Sequence, residues 1–266
     1  MDAAGRVALV TGAGYGIGRA IARRLANDGA SVVVNDIDEA HGSDTVHMIE
    51  EAGGTAVFFR ADVSSEGDVR RMISFTQKTF GGLDILVNNA VNEIQPPFYP
   101  QASSESWRRT LEICLYGTMI LTDQSIKPMS ERGGGAIVNL SSMAGVGFTP
   151  HDSPEYAAAK AGIMRLTATL APLKERSNIR VNCIAPNWVA TEKVGALVPH
   201  LSDEQRATWR CPTLEDMARP EDIADAAMYF IREDSLAGRV MLCDERDSRW
   251  LLAIDTNFFT LGERLQ

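Results

Sequence analysis

The 266-residue chain is poor in cysteine and histidine, with four of each, and has no long apolar run. Cys114, Cys183, Cys211 and Cys243 lie far apart with no CxxC spacing, and the histidines form no HExxH pattern. Reduced thiols and no metal site are expected. No apolar stretch reaches the ~18 residues of a membrane span, and strand-like sequence begins too near Met1 to leave room for a secretory leader. A cytoplasmic protein is expected. Positive charge is short too: 26 Lys and Arg against 35 Asp and Glu leave a net charge of -9 and a pI near 5.0. That balance argues against nonspecific binding to nucleic acid or an anionic membrane. No repeat, low-complexity tract or linker divides the chain.

What is present is an alternation. Short apolar runs at 6–12 (RVALVTG), 31–36 (SVVVND), 55–62 (TAVFFRAD), 83–90 (LDILVNNA), 135–142 (GAIVNLSS), 178–186 (NIRVNCIAP) and 238–244 (GRVMLCD) read as strands. Most are too apolar to have a wet face, as in parallel strands buried on both sides. Segments of helical period lie between them, at 16–28, 38–52, 65–80, 104–130, 153–176 and 220–232. The pattern predicts an α/β domain with a doubly wound, mostly parallel seven-stranded sheet and helices on both faces. One domain over 1–245 is expected, with a lid at about 190–218 and a C-terminal tail, 246–266, that docks on a partner subunit.

Between the first strand and first helix stands TGAGYGIG, 11–18. It fits neither GxGxxG nor the P-loop; its glycines, Gly12, Gly16 and Gly18, follow the spacing G-x3-G-x-G. A phosphate turn needs backbone that approaches the anion closely and a helix N-terminus aimed at it. Glycine at these three positions, with Tyr15 and Ile17 between them, permits both, although a merely tight turn would use the same residues. Asp36 ends the second strand, eighteen residues after Gly18. A carboxylate there accepts hydrogen bonds from both adenosine ribose hydroxyls and repels a 2′-phosphate, so NAD rather than NADP is expected. The alternative is a solvated turn residue.

PEYAAAKAG, 154–162, puts Tyr156 and Lys160 at i and i+4 on one helix face. A free tyrosine titrates near pH ~10, and a nearby cation favours the phenolate, an arrangement suited to proton transfer. An incidental pair on a surface helix would look the same.

Taken in order, the glycine turn, Asn88-Asn89-Ala90, Ser141-Ser142 and Tyr156-x3-Lys160 resemble the classical short-chain dehydrogenase/reductase family, over residues 5 to about 244. The resemblance implies a single-domain Rossmann fold and NAD-dependent hydride transfer between a secondary alcohol and a ketone. Tyr156 would be the general acid/base, Lys160 would lower its pKa and hold the nicotinamide ribose, and Ser142 would orient the substrate oxygen, Ser141 being the lesser candidate. Asp62 and Val63 would contact adenine, Asn89 would lie beneath the cofactor, and Pro186, Val189 and Thr191 would hold the nicotinamide end. Asp62 as a helix cap and Asn89 as a strand-end residue remain alternatives. A homotetramer or homodimer packed through the helices from Ser104 and Ser153 is also implied. Residues 221–244 look similar to the 15-hydroxyprostaglandin dehydrogenase-like branch, which would suit an alcohol with an apolar body. Phe148, Trp188, Leu197 and Trp209 would then line the pocket, ordinary core or lid packing being the other possibility.

Some positions depart from the family pattern. Cys114 stands where the family has an asparagine whose helix distortion exposes a carbonyl for a proton-relay water, so its role is open. Ser142 precedes Tyr156 by fourteen residues, one more than usual, which predicts a bulge in GVGFTPHDSP. Val91 and Asn187 replace glycines, and CDER follows the last strand in place of Asp-Gly-Gly. These leave a second function class, a non-catalytic NAD-binding or interaction protein on the same scaffold.

Overall fold

The computed structural model describes residues 1–92, 96–147, 151–246 and 248–252. Strands β1 (Val7–Thr11), β2 (Ser31–Asp36), β3 (Thr55–Arg60), β4 (Ile85–Asn88), β5 (Gly135–Leu140), β6 (Ile179–Pro186) and β7 (Val240–Cys243) run parallel, and β8 (Arg249–Leu251) pairs antiparallel with β7. The order across the sheet is β3-β2-β1-β4-β5-β6-β7-β8. The seven expected strands are thus joined by an eighth, drawn from the stretch expected as a tail. All three residues of β8 are exposed, so it has no buried face to mark it in the sequence.

The apolar runs form strands because both sheet faces are covered. Ala8 and Val10 of β1, Val32 and Val34 of β2, and Ile85 and Val87 of β4 enter one core layer. The alternate residues Leu9, Val33 and Leu86 enter the other. Helices α1 (Gly16–Asn27) and α2 (Glu39–Glu51) cover the first layer, and α3 (Glu66–Phe80) the second.

The expected helix at 104–130 is in fact α4 (Ser104–Leu111), a π turn (Glu112–Tyr116) and α5 (Gly117–Glu131). That expected at 153–176 is α6 (Pro154–Thr169) followed by the short α7 (Leu173–Ser177). The break falls at Pro172, which caps α7 and has no N–H with which to continue α6. After β6 the segment expected as a lid folds as α8 (Glu192–Leu197) and α9 (Asp203–Thr208), and α10 (Pro220–Arg232) returns beside α1. The chain order reverses between β1 and β4, and at such a switch point the carboxyl ends of parallel strands open a crevice.

At the opposite end of the sheet one carboxylate ties three strands. Asp84, fully buried, accepts the Val7 N–H at 2.9 Å and pairs with Arg132 at 2.9 Å and Arg6 at 3.3 Å. Its main chain bonds Val7 of β1 and Ala136 of β5. Burial alone would raise its pKa, but the Arg132 hydrogen bond, the Val7 N–H and the two guanidinium charges outweigh burial and lower it. Replacing this charge weakens its bonds to the Val7 N–H and to two guanidinium groups that solvent still reaches, so Asp84→Asn is expected to cost about 2 kcal/mol in urea unfolding near neutral pH. A folded pKa below the unfolded value gives stability that is present above the unfolded value and lost as pH falls through the folded one. The gap between wild type and variant should therefore close below pH ~4. A gap unchanged down to acid pH would refute the assignment.

Candidate active site

The glycine turn leaves β1 with Gly12 at φ 59° and Gly16 at φ 57°, conformations that L side chains rarely adopt. At Gly18 the demand is space: a Cβ would lie 2.3 Å from the Gly12 carbonyl oxygen and 2.5 Å from Asn89 Nδ2. That amide donates to the carbonyls of Thr11 and Gly12 at 2.9 Å each, while Thr11 Oγ1 accepts the N–H groups of Asn89 and Ala90. Asn89 thus stitches the end of β4 under the turn. Asp36, buried at the end of β2, accepts the Gly14 N–H at 2.9 Å and the Asp38 N–H at 3.1 Å. It stands beside the glycine turn rather than out in solvent. Tyr15 stands at the N-cap of α1 without a side-chain capping bond, the first turn of α1 has no acidic residue, and Ile17 packs on the core.

The residues expected at adenine, Asp62 and Val63, have partners within the chain. The Asp62 carboxylate takes Arg109 at 2.7 Å on one oxygen and the Ser64 N–H and hydroxyl on the other. Burial would raise its pKa, but these partners lower it. Val63 is buried in the core against Gly117. Pro186 ends β6, Val189 bridges to Ala218, and Thr191 caps α8 by accepting the Val194 N–H.

The catalytic candidates meet at the end of β5. Lys160 is 3% exposed; its Nζ donates to the Leu140 carbonyl at 2.8 Å and lies 5.5 Å from the centre of the Tyr156 ring. Ser141 is buried and donates to the Lys160 carbonyl at 2.6 Å, so it fastens β5 to α6. Ser142, half-buried, accepts the Ala144 N–H at 3.1 Å, a bond that does not use its own hydroxyl hydrogen. The turn Met143–Gly145 lies so close to α6 that a Cβ on Gly145 would be 2.5 Å from the Ala161 nitrogen. Beneath, a buried polar chain runs from Thr122 of α5 through Asn88 and Asn139 to Thr167 of α6, with steps of 3.2, 2.8 and 2.9 Å. It couples the sheet to the helix that carries Tyr156 and Lys160.

Cys114 is buried in the π turn; its carbonyl accepts the Thr118 hydroxyl at 2.8 Å and its Sγ lies 3.6 Å from Asn92 Oδ1. The widened turn forms without an asparagine at this position. Burial pushes the thiols of Cys183 and Cys243 up to about 12 and about 11. All four cysteines are free, and among the described residues no three His, Cys, Asp or Glu groups are placed to hold a metal ion.

Trp188 and Trp209 pack in the lid's own small core with Val198, Leu201 and Met217. Trp209 also reaches out, donating to Asp152 at 2.6 Å and meeting Phe98 edge-on. Leu197 is 43% exposed, and Phe148, with the expected bulge about it, falls at residues outside those described. Asn187, one of the departures from the family pattern, donates to Asp244 at 2.7 Å. Val91 is exposed.

Sequence reasoning missed Arg109, His151 and Glu192. His151 accepts the Ser153 N–H on Nδ1 at 3.0 Å and its ring centre lies 5.8 Å from that of Tyr156. Glu192 accepts the Gly16 N–H at 3.0 Å from 176 residues away, a pairing for which no local signal exists.

A family model for short chain dehydrogenases matches residues 6–201. The cis-4-hydroxycyclohexanecarboxylate dehydrogenase of Sinomonas cyclohexanicum is 38% identical over 90% of this chain and 95% of its own length. The (3R)-3-hydroxyacyl-CoA dehydrogenase of Mus musculus is 35% identical over 86% of this chain and 90% of its own. A solved short-chain type dehydrogenase/reductase from Mycobacterium ulcerans superposes with a TM-score of 0.81 at 28% identity, covering 90% of this chain and 88% of that one. These matches make the chain a member of the classical short-chain dehydrogenase family.

Proposed function

We propose that the protein is a cytoplasmic NAD-dependent oxidoreductase that interconverts a secondary alcohol and a ketone. The observation that supports this reading is buried Lys160 beside the Tyr156 ring, its ammonium tied to Leu140 at the end of β5, two residues before Ser142, on a sheet whose strand order reverses between β1 and β4. The residues at the turn suit a dinucleotide: α1 presents an N-terminus with no acid of its own, the glycines keep side chains off it, and Asp36 is held where an unphosphorylated ribose would lie. Bound there, NAD supplies the hydride acceptor and NADH the donor. Val189 and Thr191 would hold the nicotinamide end. Asn89 supports the turn from below, and Asp62, held in place by Arg109, would contact adenine together with Val63.

In oxidation, the Tyr156 oxygen takes the proton of the substrate hydroxyl; in reduction, it returns one to the carbonyl oxygen. The Lys160 ammonium stabilises negative charge on that phenol, and its burial strengthens the effect. Ser142, whose hydroxyl hydrogen is not spent on Ala144, donates to the substrate oxygen and orients it. The names of the two dehydrogenase relatives, one of a hydroxycyclohexanecarboxylate and one of a 3-hydroxyacyl-CoA, support an alcohol substrate.

Assembly as a homodimer or homotetramer belongs to the same proposal. Trp107, Leu111, Leu115, Tyr116 and Met119 form an apolar groove along α4, the π turn and α5, in which Leu111, Tyr116 and Met119 are exposed.

Three outcomes are expected. In nicotinamide absorbance assays over a panel of secondary alcohols and ketones, wild type turns over and Tyr156→Phe loses about 10³-fold in kcat, with NADH binding by fluorescence retained. Tight NADH binding without turnover across the panel would favour the non-catalytic reading. NADH should bind at least about tenfold more tightly than NADPH, since each tenfold is only 1.4 kcal/mol of discrimination at Asp36. Sedimentation should give a dimer or tetramer, and a monomer would end the assembly proposal.

A further inference from the structure

The first residues of the lid grip the glycine turn. Glu192 Oε2 accepts the Gly16 N–H at 3.0 Å and Oε1 lies 3.5 Å from Arg19. The next residue, Lys193, bonds the Tyr15 hydroxyl and lies 4.3 Å from the centre of its ring. The preceding one, Thr191, lies so near Gly16 that a Cβ there would be 3.1 Å from the threonine methyl. Three consecutive lid residues therefore hold Tyr15, Gly16 and Arg19.

The local sequence of α1 explains why a carboxylate comes from so far away. The helix begins on Tyr15, which gives no capping bond, and its first turn has no Asp or Glu. Its unbonded N–H groups and positive dipole end are left for a distant anion. We propose that Glu192 is an internal substitute for the diphosphate of the dinucleotide, latching the lid to the glycine turn until the cofactor displaces it. The inference rests on the proposed binding of NAD at this turn. Carboxylate and diphosphate exclude one another there: the Gly16 N–H is a single donor, and the two anions repel.

The contact is built to yield. The Glu192 side chain is 58% exposed, so solvent weakens its pairing with Arg19, whose own side chain is 16% exposed. The chain just before it is fixed, with Val189 bridging to Ala218 and the Ala190 N–H bonded to the Ala218 carbonyl at 2.8 Å. Displacement therefore frees the chain beyond Thr191 and leaves Val189 and Ala190 in place. Cofactor affinity is reduced by the fraction of molecules in which the latch is shut.

The test uses full-length wild type, Glu192→Gln and Glu192→Ala, with folding checked by far-UV circular dichroism. Glutamine keeps the shape and an acceptor for Gly16 but removes the charge. NADH binding is read by fluorescence, and inorganic pyrophosphate is tested by its effect on the melting temperature. A latch shut in about nine molecules of ten predicts about tenfold tighter NADH binding in both variants. It also predicts a larger stabilisation of the variants than of wild type by pyrophosphate. Unchanged affinity for both probes overturns the latch, and weaker NADH binding would make Glu192 a direct cofactor ligand, which also overturns it. If no form binds NADH, the NAD reading fails, and the pyrophosphate response alone decides whether Glu192 guards an anion site.

Discussion

Two adjacent amides at the end of β4 hold the two halves of the site in register. Asn89 reaches back to the carbonyls of Thr11 and Gly12 and supports the glycine turn. Asn88 reaches across to Asn139, and through it to Thr167 on the helix of Tyr156 and Lys160. All three members of that second path are buried, where an unmade hydrogen bond would leave a polar group without water. The distance between the anion-directed helix end and the phenol is therefore set by fixed bonds through the sheet. Hydride transfer needs that kind of placement, because reactants held in attack geometry avoid a large entropic barrier.

The departures from the family pattern fall around this frame without breaking it. The π turn at Cys114 persists because its surroundings impose it. Gly117, which follows the turn, packs against Val63 so closely that a Cβ would be 3.0 Å from that residue, and Thr118 bonds back to the Cys114 carbonyl. An asparagine side chain is not required for the backbone to widen there, and the amide of Asn92 stands beside the cysteine sulfur. Asn187 stands where glycine is usual and donates to Asp244 across the end of β7, so the added side chain is held by the aspartate that follows the last strand. A substitution anchored in this way reshapes the wall of a pocket more readily than it dismantles a catalytic group.

The sequence carried the central strands because burial on both faces leaves a continuous apolar signature, and it carried the Tyr156–Lys160 pair because helical spacing alone puts them on one face. It did not carry the break at the π turn, since one inserted residue hardly disturbs apolar periodicity over a long helix. The three exposed residues of β8 join the sheet by backbone bonds with β7, which composition does not encode. Trp188 and Trp209 were legible as large apolar residues in the lid, but whether such rings face a ligand or each other depends on how the lid folds. Arg109 on Asp62 and Glu192 on Gly16 join positions 47 and 176 residues apart, and nothing near either partner announces the other.

Electrostatics ties the lid to the proposed chemistry. A protein of net charge -9 repels an anionic dinucleotide at long range, and at physiological ionic strength that repulsion is screened within about 8 Å. Attraction must come from a local field, and at the turn it does: the N-terminus of α1 and the guanidinium of Arg19 converge on one place, with Lys193 close by on Tyr15. That field does not distinguish a diphosphate from a carboxylate of the same chain. An acidic protein that concentrates positive potential at one turn will draw its own nearest free carboxylate there whenever the site lacks a stronger anion. The segment after β6, which joins the sheet only through β6 and α10, is where such a carboxylate can be held and released without disturbing the sheet.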